Sequence, residues 1–258
     1  MRAMARRPVA RFGRNRSFRR RLPPELGGAV FYASTEGGLK YLRRRCASID
    51  PMLLRFATRF VRPGASVWDV GANVGLFTFA AAGLAGASGS VVAVEPDAWL
   101  VQNLRRSSRT NHPPVADVHV LPVAIAAGSG VARFNVANNS RAANFLEGRG
   151  STVTGGSREA QFVPTLALDA LLDRFPAPDV LKVDVEGAEM DVLVGASRVL
   201  SQSRPVVLIE VGASAEVTSL LAGHSYRLFN AETEPPAPVD AAVYNTLALP
   251  EEDERARG

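Results

Sequence analysis

Val67-Trp-Asp-Val-Gly-Ala-Asn-Val-Gly-Leu-Phe-Thr78 reads as an apolar strand that breaks at a glycine-bearing turn and continues as a helix of small and apolar residues. Twenty residues past Gly75 a second apolar strand, Val91-Val-Ala-Val94, delivers an acid, Glu95. A glycine turn lets backbone approach a ligand closely, and an acid at the tip of the next strand can accept both hydroxyls of a ribose. The two together predict a nucleoside-cofactor site. The turn Gly71-Ala-Asn-Val-Gly75 lacks the Gly-x-Gly-x-x-Gly spacing that seats a pyrophosphate against a helix N-terminus. This disfavours NAD or FAD and favours S-adenosylmethionine, which has no phosphate.

On the N-terminal side, Pro51 to Val61 spaces Leu53, Leu54, Ala57, Phe60 and Val61 along one helix face, and Pro63-Gly64 turns the chain into strand 66–70. Helix 75–86, strand 91–95, helix 97–109 and strand 118–124 follow. The alternation resumes with helix 166–174, strand 179–185, helix 187–200, strand 205–211 and helix 214–222. Such alternation predicts right-handed crossovers and an α/β fold, a mostly parallel sheet with helices on both faces. Residues 126–160 interrupt the rhythm. Val131-Ala-Arg-Phe-Asn-Val136 and Gln161-Phe-Val-Pro-Thr165 read as strands of a hairpin-like insertion whose tip, Asn138 to Ser157, is rich in Gly, Ser, Asn and Thr and lies near the cofactor mouth. Ala29–Ala33 predicts a short strand near the N-terminus.

In open parallel sheets ligands sit beyond the C-terminal strand ends, where the strand order reverses. Asp69, Gly71, Asn73 and Gly75, then Glu95, then Asp184 and Glu186, then Glu210 all fall at such ends. The two glycines serve turn geometry or close approach to a cofactor; Asn73 and Thr78 order the loop or touch the methionine moiety; Asp97 reads as the N-cap of the following helix. Lys182, Asp184 and Glu186 alternate and would share one strand face, and an apolar strand does not bury three charges unless they are paired. They form either a salt-bridged structural cluster or the catalytic group, with Asp184 bordering the transferable methyl and Glu186 orienting or deprotonating an acceptor. Gly187 would open the next helix, with Glu189 and Asp191 in its first turn. Asp184, Glu186 and Glu210 could instead gather a divalent cation such as magnesium. His112, His119 and His224 lie away from the predicted strand ends, which favours a carboxylate base, chiefly Glu186.

Asp69-Val-Gly-Ala-Asn-Val-Gly75 with Thr78, Val94-Glu-Pro-Asp97, Pro164-Thr-Leu-Ala-Leu-Asp169 and Leu181-Lys-Val-Asp-Val-Glu-Gly-Ala-Glu189 together resemble the FkbM family of S-adenosylmethionine-dependent methyltransferases, in the family's order and over roughly residues 60–250. The resemblance implies a class I methyltransferase fold, Rossmann-like, with a seven-stranded, mostly parallel sheet. Residues 226–229 and 242–249 would supply the antiparallel pair that closes it. It also implies cofactor contacts from Asp69, Gly71, Ala72, Asn73, Gly75, Thr78, Glu95, Pro96 and Asp184. The backbone around Ala124 would lie against adenine, because no acid or amide ends the third strand at Pro122-Val-Ala-Ile125. Lys182, Asp184 and Glu186 would be the catalytic group, and the acceptor a hydroxyl of a small molecule, a sugar unit or a polyketide-type metabolite.

The 258 residues suit one large domain, residues 63–250, preceded by a helical cap at 23–62 and followed by a charged tail at 251–258. The net charge of +5 misleads: residues 1–22 hold nine arginines and no acid, and subtracting nine leaves the remainder at −4. That stretch reads as a disordered, solvated tail, with contact to nucleic acid or an anionic membrane as the rival. Cys46 is the only cysteine, which excludes an intramolecular disulfide framework. No apolar run reaches the length of a membrane span, and the protein is expected in the cytoplasm. Two other function classes compete: a nucleic-acid methyltransferase, for which no Asn/Asp-Pro-Pro-Tyr/Phe motif is present, and a non-catalytic binding protein that keeps the fold.

Overall fold

The computed structural model describes residues 16–112, 114–138, 140–149 and 156–256. Strand β1 (Phe18–Arg21) pairs antiparallel with β2 (Val30–Ala33), Phe18 opposite Ala33 and Arg21 opposite Val30. The tail expected over 1–22 is therefore part of the fold from Phe18 onward; residues 1–15 lie outside the described residues. The ladder forms there because Phe18 packs against the core while Arg19 and Arg21 face solvent, the period-2 alternation of a half-buried strand.

Helix α1 (Pro51–Phe60) starts where Asp50 accepts the N–H of Leu53 at 3.2 Å with Pro51 in the first turn. It buries Leu54, Phe56, Ala57 and Phe60, and the Phe56 and Phe77 rings lie 5.8 Å apart. The main sheet begins at β3 (Ser66–Val70), followed by α2 (Leu76–Ala85), β4 (Ser90–Val94), α3 (Ala98–Thr110) and β5 (Asp117–Leu121). Pro122 ends β5 earlier than the expected 124. Next come β6 (Ala124–Ile125), β7 (Gly130–Ala137), β8 (Phe145–Leu146) and β9 (Ser157–Leu166), then β10 (Val180–Val183), α4 (Glu189–Val194) and β11 (Val206–Glu210). The chain closes with α5 (Ala215–Gly223), β12 (Tyr226–Asn230), β13 (Ala237–Val239) and β14 (Asn245–Pro250).

The strand order is β13-β12-β14-β11-β10-β3-β4-β5. Strands β5, β4, β3, β10 and β11 are parallel, and β14 runs antiparallel to both β11 and β12. This is the class I methyltransferase sheet with the antiparallel closing strand in place; β13 adds an eighth, short edge strand. The order reverses at β3, flanked by β4 and β10, so the crevice falls beside the Gly71 turn.

The interruption after β5 is a second sheet, ordered β6-β9-β7-β8, built around the long β7–β9 hairpin. Its inner face packs Phe134, Val136, Leu146 and Val163 with Ala124 and Ala188. Most of the expected tip is described up to Arg149, and 150–155 lie outside the described residues. Two expected helices are shorter. Residues 168–173 form 3₁₀ turns, and over 187–200 α4 breaks at Gly195 and Ala196 before the chain resumes helical turns that widen into a π turn at Val199–Ser203. At Gly195 a Cβ would stand 2.3 Å from the Ala126 carbonyl, so only a residue without a side chain lets the end of α4 pack this closely on the β6 connection. The tail expected from 251 is packed up to Ala256, which is fully buried. No helix of the described residues is long and apolar enough to cross a membrane.

Candidate active site

Strand β3 carries Asp69 into the interior, where its carboxylate accepts the Thr78 hydroxyl at 2.5 Å. The ammonium of Lys182, on the neighbouring β10, lies 3.2 Å from Asp69 Oδ1 and 3.4 Å from Asp184 Oδ2, and donates to the Gly71 carbonyl at 2.7 Å. Burial works against the charge on Lys182, but the two carboxylates outweigh it and hold the amine protonated above its ordinary range. The turn is thus braced from beneath. Gly71 adopts φ +80°, and a Cβ there would stand 1.8 Å from the Asp184 carbonyl oxygen. Its missing side chain lets the ends of β3 and β10 touch. The amides of Gly71 and Ala72 both donate to the Val94 carbonyl at 3.0 Å, tying the turn to β4. Gly75, at φ +90°, opens α2 where a Cβ would meet Phe79 and Leu104.

Glu95 follows β4 and is buried. One carboxylate oxygen accepts the Asn73 N–H and the other the Asp97 N–H, each at 2.9 Å. Burial, helped by the Asp97 charge and opposed by those two donors, pushes its carboxyl up to about 7. Asn73 sits at φ +52° with its Oδ1 buried and without a hydrogen-bond partner. Asp97 caps α3 as expected, accepting the Trp99 and Leu100 amides at 2.9 and 3.1 Å. Its other oxygen accepts from Asn144 at 2.8 Å and from the buried guanidinium of Arg141, which also donates to Glu36 at 2.6 Å. The insertion is thereby locked to both the residues that follow β4 and the N-terminal segment.

A cleft of about 630 Å³ opens over these elements. Of the residues read from sequence, Gly71, Asn73, Glu95, Pro96, Ala124, Asp184 and Glu186 line it. Ala72 and Lys182 face a small recess beside it, and Asp69, Gly75 and Thr78 stand behind the wall. Ala124 belongs to β6 of the insertion, not to the end of β5. The alternation expected of Lys182, Asp184 and Glu186 holds only as far as Asp184. Strand β10 stops at Val183, and Glu186 takes the left-handed conformation at φ +52°, inside a tight turn where Glu189 accepts the Gly187 N–H at 2.8 Å.

Glu186, Glu210 and Asp184 border one end of the cleft, where Tyr244 donates its hydroxyl to Glu210. Burial and the neighbouring charges of Asp184, Glu210 and Glu189 push the Glu186 carboxyl up to about 7; burial and Asp184 likewise raise Glu210. The cation site considered for these three acids does not form: among the described residues no group of three or more His, Cys, Asp or Glu side chains is arranged to hold a metal ion. No histidine lines the cleft; His119 lies on β5 against the Phe175 ring. Sequence reasoning missed Arg141, Asn144 and Tyr244, and Lys40 and Asp50 from the N-terminal segment, all of which line the cleft. Arg141 stands in Ser-Arg-Ala-Ala-Asn, a stretch with no periodicity or spacing to mark it.

A family model described as Methyltransferase FkbM domain matches residues 69–228. The chain is 31% identical over 160 residues to the hexuronic acid methyltransferase AglP of Haloferax volcanii, a match covering 60% of each chain. It therefore spans about 60% of the length of that curated relative. Among solved structures it resembles the FkbM methyltransferase of Methylobacillus flagellatus, 16% identical with a TM-score of 0.44 over 80% of this chain and 55% of that one. It also resembles the 16S rRNA N2 G1207 methyltransferase RsmC of T. thermophilus, 14% identical with a TM-score of 0.49 over 91% and 50%.

Proposed function

The chain belongs to the FkbM methyltransferase family, and from that premise we propose that it transfers the methyl group of S-adenosylmethionine to a hydroxyl of a small molecule, a sugar unit or a polyketide-type metabolite. The observation that carries this reading is Glu95. Its buried carboxylate stands on the cleft wall at the end of β4, facing the Gly71 turn, with lone pairs left over after one amide per oxygen. The cleft fits the group: Val70, Val94, Pro96, Ala124 and Ile125 offer apolar wall for an adenosine, and the unpartnered Asn73 Oδ1 offers an acceptor beside it. The name of the relative AglP supports a sugar as acceptor.

When bound, S-adenosylmethionine supplies a methyl group made electrophilic by its sulfonium. The chain must position an acceptor oxygen in line with it, exclude water and take up one proton. In this reading Glu95 holds the ribose and the Gly71–Gly75 turn seats the amino-acid end. Asp184 borders the methyl, and Glu186 takes the proton from the acceptor hydroxyl. Lys182 is a positioning residue, because its ammonium is occupied by Asp69, Asp184 and the Gly71 carbonyl.

Isothermal titration tests the cofactor assignment. S-adenosylmethionine and S-adenosylhomocysteine should bind at micromolar levels and NAD should not; binding of NAD alone would overturn it. The role of Glu186 is tested by the pH profile of turnover. A base works ionised, so with its carboxyl at about 7 the rate should climb by about tenfold per pH unit below that value and level off above it. Glu186→Gln should lower turnover by roughly 10² or more and flatten the limb. An unchanged limb in that variant would assign the proton to another group.

A further inference from the structure

The N-terminal segment presents a chemistry that methyl transfer does not use. Leu39–Leu42 forms one 3₁₀ turn, and in that geometry side chains three apart eclipse. Leu39 and Leu42 therefore project together, 37% and 50% exposed, while Tyr41 between them is buried edge-on against Phe31, 6.3 Å between ring centroids. Arg43, Arg44 and Arg45 follow directly, all exposed, and among the described residues none of them enters an ion pair.

The segment is held from behind. Lys40 is bound to Asp50 at 2.7 Å, Arg20 of β1 donates to the carbonyls of Arg43 and Arg44 at 2.5 and 3.2 Å, and Arg43 reaches back to the Ile49 carbonyl at 3.2 Å. The leucines are thus displayed by a braced backbone. Strand β1 adds exposed Arg19 and Arg21, and residues 1–22 contain no acid.

We propose that the Leu39–Arg45 segment docks the protein on an anionic lipid bilayer, the two leucines entering the head-group boundary and Arg44 and Arg45 meeting lipid phosphates. Aliphatic side chains flanked by unpaired cations match a bilayer interface, where apolar burial and attraction to anionic lipid act together. A nucleic-acid site would be expected to offer aromatic rings for stacking, and the large apolar side chains exposed on this segment are the two leucines. Lys40, on the same turn, lines the cleft, so docking would hold the mouth of the cleft at the lipid surface.

The experiment is flotation of the full chain with vesicles of phosphatidylcholine alone and of an equal mixture with phosphatidylglycerol, alongside Arg44→Glu/Arg45→Glu and Leu39→Ser/Leu42→Ser. None of these four residues lines the cleft, so both variants should bind S-adenosylmethionine and melt like the parent. That control separates failure of docking from failure of the methyltransferase reading. The parent should float with the anionic vesicles only. The arginine variant should lose affinity by roughly tenfold or more, since each cation near such a surface contributes about fivefold. The leucine variant should lose its residual binding at raised salt, where charge attraction is screened. Two results overturn the proposal: both variants floating like the parent, which would assign binding to residues 1–15, or binding to RNA without binding to anionic vesicles.

Discussion

Gly71→Ala is expected to destabilise this chain severely. A Cβ at φ +80° costs an L-residue roughly 1–2 kcal/mol in backbone conformation alone. The added methyl would also stand 1.8 Å from the Asp184 carbonyl, a backbone atom that cannot swing aside. Overpacking of that kind adds about 1–3 kcal/mol. A loss of roughly 3 kcal/mol is a large share of the 5–15 kcal/mol by which domains are usually stable. If the fold survives, it does so by parting the ends of β3 and β10. That would loosen the Lys182 bond to the Gly71 carbonyl and displace Asp184 from the cleft. Urea unfolding and S-adenosylmethionine titration of the variant check both consequences. Gly128→Ala is the control, because nothing lies within 4 Å of a Cβ built there. Equal unfolding midpoints for the two variants would show that the β3–β10 contact is not tight.

Glu95→Ala should abolish measurable cofactor binding with the fold retained. Two hydrogen bonds to a charged carboxylate, at about 1.5–3 kcal/mol each, correspond to a loss of roughly 10² or more in affinity. The stability consequence has a defined sign. The folded carboxyl sits at about 7, above its ordinary 4.5, so its contribution to stability is fully present below 4.5 and is lost as pH rises through 7. The parent should therefore weaken across that window in the absence of ligand, and the variant should lack that part of the slope. Ligand-induced stabilisation, about 2.7 kcal/mol at a hundredfold excess over Kd, should vanish in the variant. Retained stabilisation by S-adenosylmethionine would remove Glu95 from the ribose site.

The parts of the site legible from sequence are those that depend on neighbours along the chain. Asp69 to Thr78 announces a strand, a turn and a helix through its own alternation and glycines, and Glu95 announces itself by ending the next apolar run. Asp97 was legible as a cap for the same reason, since capping joins a side chain to amides two and three residues on. Extending strand periodicity to Glu186 did not hold, because β10 yields to a left-handed turn once Gly71 occupies the space beside Asp184. The helix expected after Gly187 is interrupted at Gly195 and Ala196 and ends as a π turn, an irregularity that the continuing apolar residues past Val194 do not announce; the close approach of the Ala126 carbonyl to Gly195 comes from a different part of the chain.

The sequence by itself determined the α/β class, the order of the parallel strands' motifs and the family, because hydrophobic period and glycine placement act over a few residues and survive any packing. Tertiary structure alone decided which distant residues brace and close the cleft. Arg141 meets Glu36 across 105 positions and Asp97 across 44, and Lys182 reaches the Gly71 carbonyl across 111. Each of these contacts exists only because burial leaves a charged group no partner but another protein group, and which group that is depends on how the insertion and the N-terminal segment close over the sheet.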